Sequence, residues 1–430
     1  MFCILAAVSF VSCASVAHYQ GIDESVSRGD YANGLDQLKA AKETAYKPND
    51  KVLYYLDEGM LAHYSGAYKE SSASLAEAER DIEAAFTKSV TVEVSSYLVN
   101  DTTLEYPGED YEDIYLNIFN SLNYYHAGSI EDALVEIRRI DNKLKYISTK
   151  YGTAISNAQQ AVLKQSNEIP YDSAAVNSNF TNSALARYLS MLFYRADGKR
   201  DDARIDRDQV KLAFAAQPAV YAFPAPSSLK DELDIPKGKA RLNVVSFSGL
   251  SPVKEQKTIR IPMSGSHWIK IAVPVIVARP SEVAYSEVAI DNGPTFRLEL
   301  IENLSAVAAE TFKQKSGLIY LKTVLRSLTK TASSMVLGDS ADNAGDSAGV
   351  LKLLSLGAQI YAEASEQADL RVSRYFPAQA SVGGVTLDPG TYSYSVRYYD
   401  ATNKVIHSAR FENVEVRAND LNLSEAICIK

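Results

Sequence analysis

Tryptophan occurs once and cysteine three times in the 430 residues of this chain. No Cys-x-x-Cys pair exists. The five histidines, His18, His63, His126, His267 and His407, are scattered. None forms the His-Glu-x-x-His pair that holds catalytic zinc. A Walker loop and a G-x-G-x-x-G turn are also missing, so no cofactor and no metal is expected. Positive charge is in deficit: 44 Lys+Arg stand against 53 Asp+Glu, a net charge of −9. A general nucleic-acid binder needs a basic surface to displace counterions, and this balance excludes one. No segment approaches the roughly 20 apolar residues of a membrane-spanning helix. Tyrosine is what abounds, 27 against 13 phenylalanines, which implies many aromatic positions that are half apolar and half wet. With 46% hydrophobic and 23% charged residues the chain is a folded protein. Its length suggests about two to four domains.

The first apolar run, Phe2 to Val11, is ten residues long. That is too short to span a bilayer and fits the core of a secretory signal peptide. It leads into Phe10-Val11-Ser12-Cys13, followed by Ala14-Ser15. An apolar residue, small residues and then Cys resembles the lipobox of bacterial lipoproteins, with Phe10 where Leu is usual. The resemblance implies cleavage after residue 12 and acylation of Cys13; the plainer readings are a secreted leader or a buried helix. Cys3 would leave with the leader, and only Cys428 would remain as a free thiol, so no intramolecular disulfide forms. The apolar run Ala426-Ile427-Cys428-Ile429 makes Cys428 a core residue.

From about 17 to 216 the apolar spacing is helical. Four segments align on a glycine that closes one helix and opens the next: Gly29, Gly66, Gly128 and Gly198. Five positions beyond each stands a small residue, namely Gly34, Ser71, Ala133 or Ala203. Glycine permits the tight turn, and a small residue lets two helices approach closely. Tyr124 and Tyr194 each precede their glycine by four residues. The pattern resembles the tetratricopeptide repeat (TPR), although the glycines are 37, 62 and 70 residues apart rather than regularly spaced. Insertions are therefore expected near 87–110 and 145–182. Stacked helix pairs leave a concave face that holds a peptide or helix, and Tyr54, Tyr55, Tyr64, Tyr124 and Tyr125 are its candidate lining. Aromatics at helical spacing are more often core than groove.

Pro218, Pro224, Pro226 and Pro236 crowd the next stretch and mark a boundary. Beyond it the period falls to two. Strands are predicted at Arg241–Ser248, Lys257–Ile261, Trp268–Ala278, Tyr285–Ile290 and Phe296–Leu300. Helices follow over about 302–337 and 349–368. Strands return at Ala380–Leu387, Tyr392–Tyr399, Val405–Phe411 and near Ala426–Ile429. The expected architecture is α+β: a leader at 1–12, a TPR-like helical domain at 13–216, a Pro-rich linker at 217–238, and a mixed β domain at 239–430 with an inserted helical pair.

The order of parts, with Gly249–Lys254, Ile261-Pro262, Leu300–Asn303, Ala368–Arg371, Phe376–Ala378 and Leu387–Gly390, resembles an uncharacterised group of bacterial envelope lipoproteins that join TPR helices to a C-terminal β region. Ser373 stands where that group carries Trp. The resemblance implies an address and an architecture but no reaction. One sequence does suggest chemistry. Gly345-Asp346-Ser347-Ala348-Gly349 matches the G-x-S-x-G elbow of esterases, with His407 downstream. The polar loop before it is not the buried strand that an elbow requires, so Ser347 is a weak catalytic candidate. Asp339, Asp342 and Asp346 could attract a cation, but the EF-hand spacing is missing. The expectation is a lipid-anchored, non-enzymatic scaffold. It would face the periplasm from the outer membrane or stand on the cell surface, and it would hold an envelope protein in its helical groove. The alternative is a peptidoglycan or glycan binder using Tyr392, Tyr394, Tyr398 and Tyr399.

Overall fold

Gly29, Gly66, Gly128 and Gly198 take φ of +80°, +80°, +85° and +72°, a region that costs a residue with a Cβ. Residues 13–91, 99–166, 169, 171, 177–263, 268–342 and 367–430 are described by the computed structural model. All four turns share one capping geometry. At the second, Gly66 N–H donates to His63 O and Ala67 N–H to Ala62 O, and the other three repeat the spacing. Four helical hairpins result: α1 (Cys13–Ser27) with α2 (Tyr31–Ala40), α4 (Lys51–Tyr64) with α5 (Tyr68–Thr91), α6 (Asp110–His126) with α7 (Ile130–Lys150), and α9 (Ala184–Ala196) with α10 (Arg200–Ala216). A short α3 (Lys42–Ala45) and an added α8 (Gly152–Gln165) lie between them. The small residues five past each glycine are buried where the helices meet. Ser71 donates its hydroxyl to Gly59 O at 2.7 Å, tying α5 to α4.

The C-terminal half supplies two four-stranded sheets. The inner one has the order β10-β1-β7-β6, from β10 (Asn422–Cys428), β1 (Ala240–Ser248), β7 (Gln379–Leu387) and β6 (Glu299–Asn303). β1 runs parallel to β10 and antiparallel to β7. The outer sheet has the order β5-β4-β8-β9, from β5 (Thr295–Arg297), β4 (Tyr285–Ile290), β8 (Gly390–Tyr399) and β9 (Val405–Val416). Every residue of β1 is buried, because both its faces are covered. Leu242 and Val244 join Val288, Tyr394 and Val396 between the sheets. Val245 and Phe247, on the opposite face, join the helices. The layers are therefore helices, inner sheet and outer sheet. A separate hairpin, β2 (Val253–Pro262) and β3 (Trp268–Val277), packs with α8 and the long α11 (Leu304–Asp342) around Ile269, Ile271, Leu321 and Val324.

The α+β class and its order, helices first and sheets after, hold. The Pro-rich 217–238 stretch, whose Tyr221 and Phe223 suit packing on a neighbour, is packed: Val220, Tyr221 and Leu229 are buried, and so is Glu232. The Glu232 carboxylate accepts from Arg241, Arg195 and Asn243, which pins this stretch across the junction. The helical and β halves also share a core. Leu56, Phe119 and Leu192 from the first pack in one cluster with Val245, Phe376 and Leu423 from the second. The apolar face of a helical layer has to be covered, and here the inner sheet covers it. The expected helix over about 302–337 is α11, whereas its expected partner at 349–368 falls almost wholly outside the described residues.

Candidate functional site

The five groove tyrosines do not line one open surface. Tyr64 is buried, and its hydroxyl donates to Tyr375 O at 2.8 Å. Tyr125 donates to Leu421 O at 3.0 Å and accepts from Leu423 N at 3.1 Å. Both therefore bind this chain's own C-terminal half. Tyr54 is buried, donates to Glu58 at 2.6 Å, and meets the half-buried Tyr55 with ring centroids 5.4 Å apart. Tyr124 is half-buried.

What occupies the helical layer between α1, α4 and α6 is an extended strap, residues 368–376. Arg371 donates to Asp50 at 3.1 Å and to the carbonyl of Asp101 at 3.0 Å. Ser373 N–H donates to Glu112 at 2.6 Å. Its hydroxyl and the Arg374 N–H both reach Asp57 Oδ1 at 2.8 Å. The Arg374 guanidinium pairs with Asp23, to which Tyr375 also donates at 3.1 Å. Ser373, Tyr375 and Phe376 are fully buried. Burial pushes the Asp57 carboxyl up to about 6. Burial, reinforced by the Glu109 charge, pushes Glu112 up to about 7. Sequence reasoning missed these carboxylates. The available signal was an acid on an apolar helix face, as Asp57 is beside Leu56 and Met60.

Two further acids join the halves. Glu302, on β6, accepts from Tyr115, from the Ser183 hydroxyl at 2.7 Å, from Leu185 N at 3.0 Å and from Tyr221 at 2.7 Å. Glu425, on β10, lies between His63 of α4 and His126 of α6, at 3.0 and 2.5 Å. The Ser71 hydroxyl, already donating to Gly59 O, accepts from Asn123 Nδ2 at 2.8 Å. Asn123 Oδ1 therefore faces His63 Nδ1, at 2.7 Å, and both His63 nitrogens are placed to donate. Burial alone would raise Glu425. The His63 charge and the hydrogen bonds from both histidines outweigh it and hold Glu425 at about 2.

A cavity of about 390 Å³ opens where the end of α5, the 101–109 loop, α11 and the β2–β3 hairpin meet. That is within the range of small-ligand pockets. Its walls include Phe86, Leu104, Tyr106, Tyr151, Leu318 and Ile319. Lys254 and Lys315 enter it and share Glu109 at 2.5 and 2.9 Å. Burial works against the Glu109 charge, but the two ammonium groups prevail and lower its pKa. Both ammonium groups are taken up by Glu109, and Asp101, Glu105 and Asp369 also line the cavity, so what its walls suit is a bulky apolar group.

The remaining sequence candidates are spread apart. Tyr394 and Tyr398 are buried between the sheets, so they present no glycan platform. Tyr399 is partly exposed and stacks on Tyr285 at 4.7 Å, and Tyr392 is half-buried. Cys13 is the first residue of α1. The leader 1–12, Ser347 with its Gly345–Gly349 segment, and His267 lie outside the described residues. Among the described residues no group of three or more His, Cys, Asp or Glu could hold a metal ion, and no helix is long and apolar enough to cross a membrane. Comparison with protein families, with curated proteins and with solved structures finds no match to this chain.

Proposed function

We propose that this chain is a lipid-anchored scaffold of the bacterial cell envelope, tethered through Cys13 and holding a protein partner without catalysing a reaction. The lipobox-like Phe10–Cys13 sequence supports the tether. Four glycine-closed hairpins with a small residue five positions on support a TPR-like reading of the helical half. The observation that carries the binding role is the cavity of about 390 Å³ beside α5 and α11. On this reading the strap-filled face is a structural seam. The partner instead inserts an aromatic or aliphatic side chain between Leu104 and Ile319. A binding role also accounts for the buried acids: Asp57, Glu112, Glu302 and Glu425 are spent on bonds across the seam and face no open cleft.

Two measurements test the proposal. Metabolic labelling with an alkyne fatty acid should mark the wild-type chain and not Cys13→Ser, and detergent partition should shift in the same way. An unlabelled wild-type chain would remove the tether. A photo-cross-linking residue at Leu104, which is 42% exposed, should capture an envelope protein. Ile319→Glu in the same chain should abolish that capture while far-UV circular dichroism stays unchanged. Equal capture with and without Ile319→Glu would remove the cavity as the docking point.

A further inference from the structure

Three stretches, residues 152–165, 256–278 and 311–338, carry one, three and five Lys or Arg and no Asp or Glu of their own. They are distant in sequence, but they are the α8, β2–β3 and α11 parts that form one arm around Ile269, Ile271, Leu321 and Val324. Within it Lys313, Lys315 and Lys322 of α11 pair with Glu310, Glu109 and Asp101. Two contacts set the relative direction of the three parts. The Ser327 hydroxyl donates to Lys270 O at 3.0 Å, and Gln165 donates to Thr329 at 3.3 Å. The C-terminal end of α8, the turn end of the hairpin and the middle of α11 therefore come to one end of the arm. There stands Trp268, the sole tryptophan, 62% exposed. The Arg260 guanidinium lies 5.0 Å from its ring centroid. Leu163 is 50% exposed and Lys164 is exposed, and Lys270 stands across from Arg260 on the same face of the hairpin as Trp268.

We infer that this arm is a second membrane contact, docking on an anionic phospholipid surface with Trp268 in the headgroup layer and the cations above it. Tryptophan is the side chain that favours the membrane–water boundary, because its ring is apolar and its N–H is polar. Lysine and arginine near an anionic leaflet are drawn to it. An exposed indole and leucine beside exposed cations fit a lipid boundary better than a nucleic-acid backbone, which offers no hydrocarbon to bury them. The inference does not rest on acylation of Cys13. A contact at Trp268 would fix how the molecule stands on a membrane, which a flexible fatty tether at the other end of the chain cannot do.

The single tryptophan makes the test direct. The full chain carrying Cys13→Ser, so that no acyl chain intervenes, is mixed with vesicles of phosphatidylcholine plus phosphatidylglycerol, or of phosphatidylcholine alone. Trp268 emission should shift to the blue and become shielded from acrylamide with the anionic vesicles only. The shift should reverse at high salt, as a screened attraction requires. The double variant Lys164→Glu with Arg260→Glu should bind the same vesicles about tenfold or more weakly. Circular dichroism identical to that of the parent chain would show the variant folded. No change in emission, an equal change with both vesicles, or a change produced by a single-stranded oligonucleotide and not by vesicles would each overturn the inference. Failure of Cys13 labelling would leave this result untouched.

Discussion

Glu112 is a fully buried carboxyl and Glu425 nearly so, and their surroundings move them in opposite directions. Glu425 faces His63 and His126 and sits at about 2, below the ordinary value of 4.5. It contributes stability above that ordinary value and loses it as the pH falls toward 2. Glu112 is raised by burial and by Glu109, to about 7. Its folded form holds a proton more tightly than the unfolded chain does. Its contribution is therefore full below about 4.5 and is lost as the pH rises through 7. Asp57, raised by burial to about 6, behaves in the same way. Glu112→Gln should consequently flatten the fall in thermal midpoint between mildly acidic and mildly alkaline pH, read as the difference between wild-type and variant melts by circular dichroism. A variant that keeps the full wild-type slope would show that Glu112 does not titrate there. Glu425→Gln should do the reverse. Near neutral pH it removes the carboxylate whose fall from 4.5 to about 2 corresponds to about 3 kcal/mol of stability. Below about pH 3 the cost should shrink, since the wild-type carboxyl is then losing its advantage as well. Urea unfolding at the two pH values measures both quantities.

Helix pairing depends on two kinds of glycine, and they should respond differently to the same substitution. At Gly66 φ is +80° and an added Cβ would meet nothing within 4 Å. Gly66→Ala should then cost only the backbone strain, about 1–2 kcal/mol. At Gly59 an added Cβ would lie 2.6 Å from Leu75 Cδ2. Gly59→Ala should cost about 1–3 kcal/mol through overpacking of α4 on α5. A Leu75→Ala change should relieve part of that cost, whereas Leu75→Ala combined with Gly66→Ala should add independently. A double-mutant cycle by urea denaturation distinguishes the two; full additivity at Gly59 would mean that α4 and α5 adjust without strain. Gly66 was readable in the sequence because its cause is local: a turn fixes φ, and the crossing fixes side-chain size five residues on. Gly59 was not, because its constraint is Leu75 on the neighbouring helix. The strands were readable for the same reason as Gly66, since a period of two is set by neighbours. The strap was not. Ser373 is 316 residues from Asp57 and 261 from Glu112. An apolar helix face also reads alike whether a partner or the chain's own sheet covers it. Tyr64 and Tyr125 show the ambiguity, with helical spacing that suits a groove and hydroxyls that bond to Tyr375 and Leu421.

A helical layer roofed by its own sheet makes the whole molecule behave differently from a scaffold with a detachable tail. Phe119 packs against Phe247 of β1 at 4.9 Å and against Phe376 of the strap at 6.0 Å. Residues 13–216 alone would expose the Phe119 ring and the apolar face around it, so that fragment should aggregate or bind an apolar dye rather than fold as a free domain. The intact chain offers a sharper measurement through Cys428. Its thiol lies in the core between the two sheets, 2% exposed, and burial raises it to about 12, so it should react with a thiol reagent only after the sandwich opens. In the full chain carrying Cys3→Ser and Cys13→Ser it is the sole thiol. The urea midpoint for labelling Cys428 should coincide with the midpoint for loss of helical ellipticity, since Glu425, Glu302 and the strap couple the sheets to the helices and two-state unfolding makes different probes agree. Labelling at distinctly lower urea would show that the outer sheet peels away while the helical layer stays folded; the inner sheet would then not be the shared wall that the packing of β1 on both faces requires.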